Sequence, residues 1–337
     1  MHFNKIMIDQ LLEKFSKSTV LVIGDVMVDA YLKGSVGRIS PEAPVPIVDV
    51  DDRFYRLGGA ANVAINLQSL GATPLMCSVI GDDEKADIFN ELMSSYHLDN
   101  QFVLRSSKRK TTIKYRILAN ARQVLRVDEE DTSLLDADVR GDFLKLINQI
   151  FENQKIDAVI FEDYDKGVIS REVISAVVEM AKERNIIVTV DPKKRNFNNY
   201  KGVTMFKPNL KELKEGLEDE SKEFSMSKIE ERMRNFAKIN EIRCLFTTMS
   251  EKGVALYDQS CDAFYTYRAY LRQISDVSGA GDTVISVATL CLLAGLPADK
   301  TAQVANLAGG IVCEYSGVTP IPLSRLREEI VKYNLLQ

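Results

Sequence analysis

The chain has 337 residues, 45% hydrophobic and 27% charged, and a net charge of −5 from 43 basic and 48 acidic side chains. That length suits one large α/β domain or two ordinary ones, and the balance is that of a soluble globular protein. The negative charge excludes a general attraction to nucleic acid or to an anionic membrane, so an anionic ligand needs local cations working against the global sign.

In chain order, "MHFNKIMIDQLLEKF" is amphipathic and carries acids, unlike the apolar core of a signal peptide. No apolar run approaches a membrane span, and a cytoplasmic protein is expected. "TVLVIG" (19–24) reads as a buried strand and runs into the polar cluster "GDVMVD" (24–29). Residues 31–57 are rich in Gly, Pro and short alternations. "LGGAANVAINLQSLGA" (57–72) then sets two glycines before a helix with Val63, Ile65, Leu67 and Leu70 on its apolar face. Residues 110–131 alternate polar and apolar side chains, as half-exposed strands do. Neither 31–57 nor 110–131 suits a doubly covered sheet, and both are expected in a small β lid.

Further strands are predicted at 157–163, 186–191, 203–207 and 244–248. Between them, "SREVISAVVEMAKERN" places Val173, Ile174, Val177, Val178 and Ala181 on one helical face, with Ser170 as cap and Asn185 as stop. Strands alternating with helices imply a mostly parallel sheet covered on both faces, and no linker or repeat divides the chain. One domain plus a lid is expected. Ligands of such sheets bind beyond the carboxyl ends of the strands. There the chain gathers "GDVMVD", "EDYDKG" (162–167), "DPKK" (191–194), "KPNLKE" (207–212) and "TTMSEKG" (247–253).

"VSGAGDTVI" (277–285) opens a strongly apolar helix. The amides of Gly279, Ala280 and Gly281 at a helix N-terminus form an anion site, and Asp282 there makes sense as a base that takes a proton from an attacking hydroxyl. The alternative is a glycine turn with an Asp cap. Gly58 and Gly59 could admit a sugar to the backbone, with Asn62 donating hydrogen bonds, or they could serve tight packing. Asn209 and Glu212 could arrange Mg²⁺ through water, or merely begin a helix. The five cysteines (Cys77, Cys244, Cys261, Cys291, Cys313) are scattered, and the only histidines are His2 and His97. A disulfide framework, a zinc site and histidine-based catalysis are therefore not expected.

"GGAANVA", "KPNLKE" and "DVSGAGDT", in that order on alternating strands and helices, resemble the ribokinase-like (PfkB) carbohydrate kinases from about residue 18 to about residue 330. "RISPEAPVPIV" (38–48), "DYDKG" and "DPKKRNFNNYKG" narrow the resemblance to the branch that phosphorylates heptose 7-phosphate at C1 for lipopolysaccharide-core synthesis. The fold implied is ribokinase-like α/β with a small β lid, and many such proteins carry a nucleotidyltransferase domain not expected here. The cofactors implied are ATP and Mg²⁺, with K⁺ or another monovalent cation at Asp276 and Ser278. Asp282 would deprotonate the sugar hydroxyl. Asn209 and Glu212 would arrange phosphates and Mg²⁺, and Ser250, Gly253 and Asn306 would line the nucleotide. Asp29, Gly58, Gly59 and Asn62 would hold sugar hydroxyls, and the lid would exclude water and pair two subunits as a homodimer. For the sugar phosphate, Lys166 and Lys193 are the expected cations, with Asp163 and Asp191 orienting them or binding sugar hydroxyls. Glu162 and Asp165 add more negative charge around "DY" than the family pattern suggests. A different hexose, hexose phosphate or nucleoside is the alternative substrate. A non-catalytic sugar sensor would have no reason to keep Asp282 and its glycines.

Overall fold

The strands predicted from apolar runs all form, because each is buried on both faces. The computed structural model describes residues 2–120, 122–218, 225–270 and 272–336. A first helix, α1 (His2–Ser16), leads into β1 (Thr19–Gly24), and two long strands follow, β2 (Val26–Ile39) and β3 (Pro46–Gly59). Next come α2 (Ala60–Ser69), β4 (Thr73–Gly81), α3 (Glu84–Ser95), β5 (Val103–Ser106), β6 (Ile113–Ala119), β7 (Arg122–Glu129) and α4 (Ala137–Asn153). The second half comprises β8 (Ala158–Glu162), α5 (Arg171–Glu183), β9 (Ile187–Asp191), β10 (Met205–Phe206), α6 (Leu210–Gly216), α7 (Met226–Ile239), β11 (Cys244–Thr248), β12 (Val254–Asp258) and β13 (Ala263–Tyr267). It closes with α8 (Ala280–Leu293), α9 (Ala298–Val312) and α10 (Leu323–Lys332).

Among the described residues, nine strands form the main sheet in the order β13-β12-β11-β10-β9-β8-β1-β4-β5. All its pairs are parallel except β11 with β12 and β12 with β13. Along β1, Val20 and Val22 join one core with α1, α2, α8 and α9, while Leu21 and Ile23 join the other with α4, α5 and α7. Period-2 alternation between two apolar layers is what makes the strand read as one continuous apolar run. The stretch at 203–207 contracts to the two residues of β10, still parallel to β9 and β11.

In α5, Ser170 caps through its side chain on the Val173 amide, and Val173, Ile174, Val177 and Ala181 are buried. Val178 is half-buried. Helix α8 is buried along Asp282–Leu292, so its polar groups are satisfied internally. Thr283 bonds Asn66 at 2.9 Å, and Thr289 bonds Thr189 at 2.7 Å. Among the described residues, the two segments expected in the lid supply a second, four-stranded sheet, β3-β2-β6-β7, which grows out of the main body at Val26 and Gly59.

Candidate active site

Strands β8 and β9 are parallel neighbours with Glu162 opposite Asp191, so both carboxylates leave the sheet at the same level. The N-terminus of α8 brings Asp282 against them, and one oxygen from each of the three lies within 4.8 Å of the others. All three side chains are buried. Just past β10, Lys207 places its ammonium 2.7 Å from Asp191 Oδ2 at 2% exposure.

Burial pushes the Glu162 carboxyl well above the usual range, and the charges of Asp191 and Asp282 push it further. Asp282 is raised mainly by burial and also by Asp191, while hydrogen bonds from Asn62 and Tyr164 pull it back down. Burial works against charge on Lys207, but Asp191 and Glu212 outweigh it and raise the ammonium.

Asp282 accepts from Asn62 Nδ2 on one oxygen and from the Tyr164 hydroxyl, at 3.1 Å, on the other. Gly279 caps α8 in the left-handed region at φ +78, where a Cβ would lie 2.9 Å from Asn62 Nδ2. A Cβ on Gly281 would stand 3.6 Å from Asp191 Oδ2 and 3.7 Å from Lys207 Nζ. The mouth of α8 therefore faces the carboxylate cluster and its lysine. The Ala280 N–H donates to Val277 O at 3.3 Å. That is a long bond, which an entering phosphoryl oxygen could displace.

A Cβ on Gly58 would meet Asp29 Oδ2 at 2.8 Å, and one on Gly59 would meet Asp25 O at 2.3 Å. Gly59, at φ +61, is required by the close approach of the Asp25 backbone, whereas Gly58 faces the side chains of Asp29 and Met27. The oxygens of Asp163 accept from the Asp165 amide, Asn196 and Tyr200 at 2.9–3.0 Å. Burial, reinforced by Asp25, raises its pKa to about 7. Asp29 is buried and ion-paired to Arg116 of β6, at the base of the lid.

Asn209 and Glu212 form a reciprocal capping box at the start of α6. Glu212 also pairs with Lys193, so both its oxygens are engaged and it stands apart from the carboxylate cluster. Lys193 lies 3.9 Å from Asp191 and 5.3 Å from the centre of the Tyr164 ring. Lys166 pairs with Glu130, beyond the end of β7, at 2.8 Å.

A cleft of about 890 Å³ opens beside α6, lined in part by Asn209, Ser250 and four lysines, Lys194, Lys211, Lys214 and Lys252. Gly253, at φ +87, closes the turn from β11 to β12. Asn306 is buried in α9, where its amide donates to Arg268 O at 2.9 Å. Asp276 accepts from the amides of Ser278 and Gly317 at 2.9 and 3.1 Å. Burial opposes ionisation of that carboxyl, but these amide bonds prevail and lower its pKa.

Glu162, Lys207 and Tyr164 carry no site role in the sequence reading, and Asp191 enters it only as a partner of the lysines or a ligand of sugar hydroxyls. The usable signal was position: Glu162 and Asp191 end adjacent strands, Lys207 follows β10, and Glu162 was the unexpected acid. Glu162 Oε2 and Asp191 Oδ1 are buried with no hydrogen-bond donor among the described residues. Such orphaned oxygens, in a group of three carboxylates, fit a small hard cation such as Mg²⁺.

A family model described as pfkB family carbohydrate kinase matches residues 17–324. Over 92% of its length the chain is 38% identical to the bifunctional protein HldE of Methylobacillus flagellatus, across 312 residues, and 38% identical to the Campylobacter jejuni protein of that name, across 311. It spans 63–64% of the length of those relatives. In fold it is similar to phosphofructokinase-2 from Escherichia coli solved with potassium, with a TM-score of 0.77 and 15% identity. Ribokinase from Arabidopsis thaliana complexed with ribose and ATP gives a TM-score of 0.68 and 16% identity. Each pairing covers 95% of this chain and 99% of the other. The ribokinase-like α/β fold implied by the motifs is the fold found.

Proposed function

This chain belongs to the PfkB family of carbohydrate kinases, and we propose that it transfers the γ-phosphoryl group of ATP to the C1 hydroxyl of D-glycero-D-manno-heptose 7-phosphate, giving the 1,7-bisphosphate for ADP-heptose and lipopolysaccharide-core synthesis. The family implies ATP, usually with Mg²⁺. The observation that carries the reading is Asp282, held on both oxygens at the mouth of a glycine-led helix beside Lys207. The sugar assignment rests on "RISPEAPVPIV" in the lid and on the HldE relatives, and it concerns the kinase step alone.

In this reading Asp282 takes the proton of the C1 hydroxyl as that oxygen bonds to the γ-phosphorus, and ADP leaves with the electrons of the broken P–O bond. The α8 N-terminus with Gly279 and Gly281 stabilises charge on the transferring group, and Lys207 and Lys193 stand beside it. Glu162 and Asp191 would hold Mg²⁺, which when bound neutralises phosphate charge. The cleft at Asn209 and Ser250 takes the nucleotide, with Gly253 and Asn306 behind it. Asp276 and Ser278 border the site assigned to a monovalent cation such as K⁺. Asp29 holds sugar hydroxyls, and Lys166 meets the sugar phosphate after exchanging Glu130 for it.

Residues 1–337 act as one kinase unit with its lid. Arg56 of β3 packs over the rings of Tyr31 and Phe54 and donates to Val318 O at 3.3 Å, which latches lid to body. Exposed apolar lid residues, Ile39 at 60% and Leu125 at 57% among them, suit pairing with a second copy as a homodimer. Among the described residues no helix is long and apolar enough to cross a membrane. The test is ATP consumption with heptose 7-phosphate, unphosphorylated heptose and fructose 6-phosphate. A kcat/KM for heptose 7-phosphate at least a hundredfold above the other two is expected. Equal or higher turnover of fructose 6-phosphate overturns the sugar assignment.

A further inference from the structure

Asp25 follows β1, is 1% exposed, and has no part in the chemistry above. Its side chain accepts three backbone hydrogen bonds from one loop. Oδ2 takes the amides of Tyr164 and Lys166 at 2.9 and 3.0 Å, and Oδ1 takes that of Val168 at 3.0 Å. This loop does not hold its shape by local preference. Asp165 lies at φ +56, a region that L-residues with a Cβ seldom adopt, and Gly167 lies at φ +90. A carboxylate that collects three amides fixes such a turn from outside.

The backbone of the same residue fixes a second element. Asp25 O accepts the Ala60 amide at 3.0 Å, where α2 begins. Its approach to Gly59 is so close that only glycine fits there. Two residues into α2 stands Asn62, and at the head of the loop stands Tyr164. These are the two donors that hold the two oxygens of Asp282. One buried residue therefore sets both arms around the carboxylate.

We propose that Asp25 is a positioning residue for phosphoryl transfer, which aligns Asp282 by fixing Tyr164 through its side chain and Asn62 through its backbone carbonyl. This rests on the reading of Asp282 as the base. The Tyr164 hydroxyl holds the carboxylate oxygen that Asn62 does not, so the carboxylate cannot rotate away from the acceptor hydroxyl.

The experiment compares Tyr164→Phe, Asp25→Asn, their double variant and Asp282→Asn, with heptose 7-phosphate as acceptor. Tyr164→Phe removes one hydrogen bond to a charged group and is expected to lower kcat about ten- to hundredfold, with KM for ATP within about twofold. Asp25→Asn turns an acceptor into a donor against the loop amides and is expected to lower kcat at least as far. Because Asp25 acts through Tyr164, the double variant should fall no more than about twofold below Asp25→Asn. Independent structural damage would instead multiply the two losses, and that result overturns the proposal, as does a Tyr164→Phe kcat within about twofold of wild type. Should Asp25→Asn fail to fold, amide hydrogen exchange over residues 164–168 of the wild-type chain decides. Slow exchange is expected, and exchange at open-loop rates overturns the clamp. If Asp282→Asn is fully active, the base assignment fails while the exchange result still judges the clamp.

Discussion

Asp282→Asn should abolish most of the activity and make the protein more stable. The reacting carboxylate lies with Glu162 and Asp191 inside 4.8 Å, buried, with Lys207 as the nearest cation. At an effective dielectric of about 20, two unit charges at that spacing repel by about 3 kcal/mol. Lys207 offsets part of this, so removing one charge should return about 1–3 kcal/mol. The amide fits the same contacts, with its oxygen accepting from Asn62 and its nitrogen donating to the Tyr164 oxygen. For a chain of this length 1 kcal/mol is worth about 1–2 °C in Tm, so a rise of a few degrees is expected without Mg²⁺. The folded-state pKa of Asp282 is raised. Its cost to stability is therefore present at neutral pH and vanishes as acidification protonates the folded and then the unfolded state. The Tm gain should accordingly be larger at pH 8 than near pH 4. In the kinase assay the loss of the base should lower kcat by about 10²–10⁴. A variant that keeps more than a tenth of wild-type kcat, or melts lower than wild type at pH 8, would refute the reasoning.

Asp163, at about 7 in the folded chain, holds its proton where the unfolded chain has released it. Stability should therefore fall as pH rises from about 4 to 7 and then level off, and Asp163→Asn should flatten that slope in chemical denaturation series. Lys166→Ala should raise KM for the sugar phosphate about tenfold or more with little change for ATP. Lys193→Ala, beside Asp191 and Tyr164, should act mainly on kcat; a change confined to the sugar KM would return Lys193 to the sugar end. Leu125→Arg on the exposed lid face should shift the protein toward monomer in sedimentation, and an unchanged oligomer would remove the lid from the interface.

Strand positions, the cap at Ser170 and the lid segments were legible because each is written in local pattern: apolar runs, a hydroxyl before a helical period, alternation with Gly and Pro. Asp282 was legible for a similar reason, since glycines, an acid and an apolar helix are contiguous. The capping role of Asn209 with Glu212 was also local, and it is realised together with the Lys193 pair. Gly58 and Gly59 illustrate the reverse. Their glycine pattern could be seen, but its cause, the approach of Asp25 and Asp29 from β2 and the turn before it, lay outside the segment.

The sequence by itself determined the alternation of strands and helices, the family motifs and the acid at the head of α8, because these depend on neighbours within a few residues. Tertiary structure alone decided which acids meet. Glu162, Asp191 and Lys207 lie on three different strand ends, and the parallel register of β8, β9 and β10 brings them to one level. Likewise Tyr164 and Asn62 converge on Asp282 across 118 and 220 residues of chain. No local pattern encodes such separations; they follow from burying two apolar layers against one sheet, which fixes where every strand end must point.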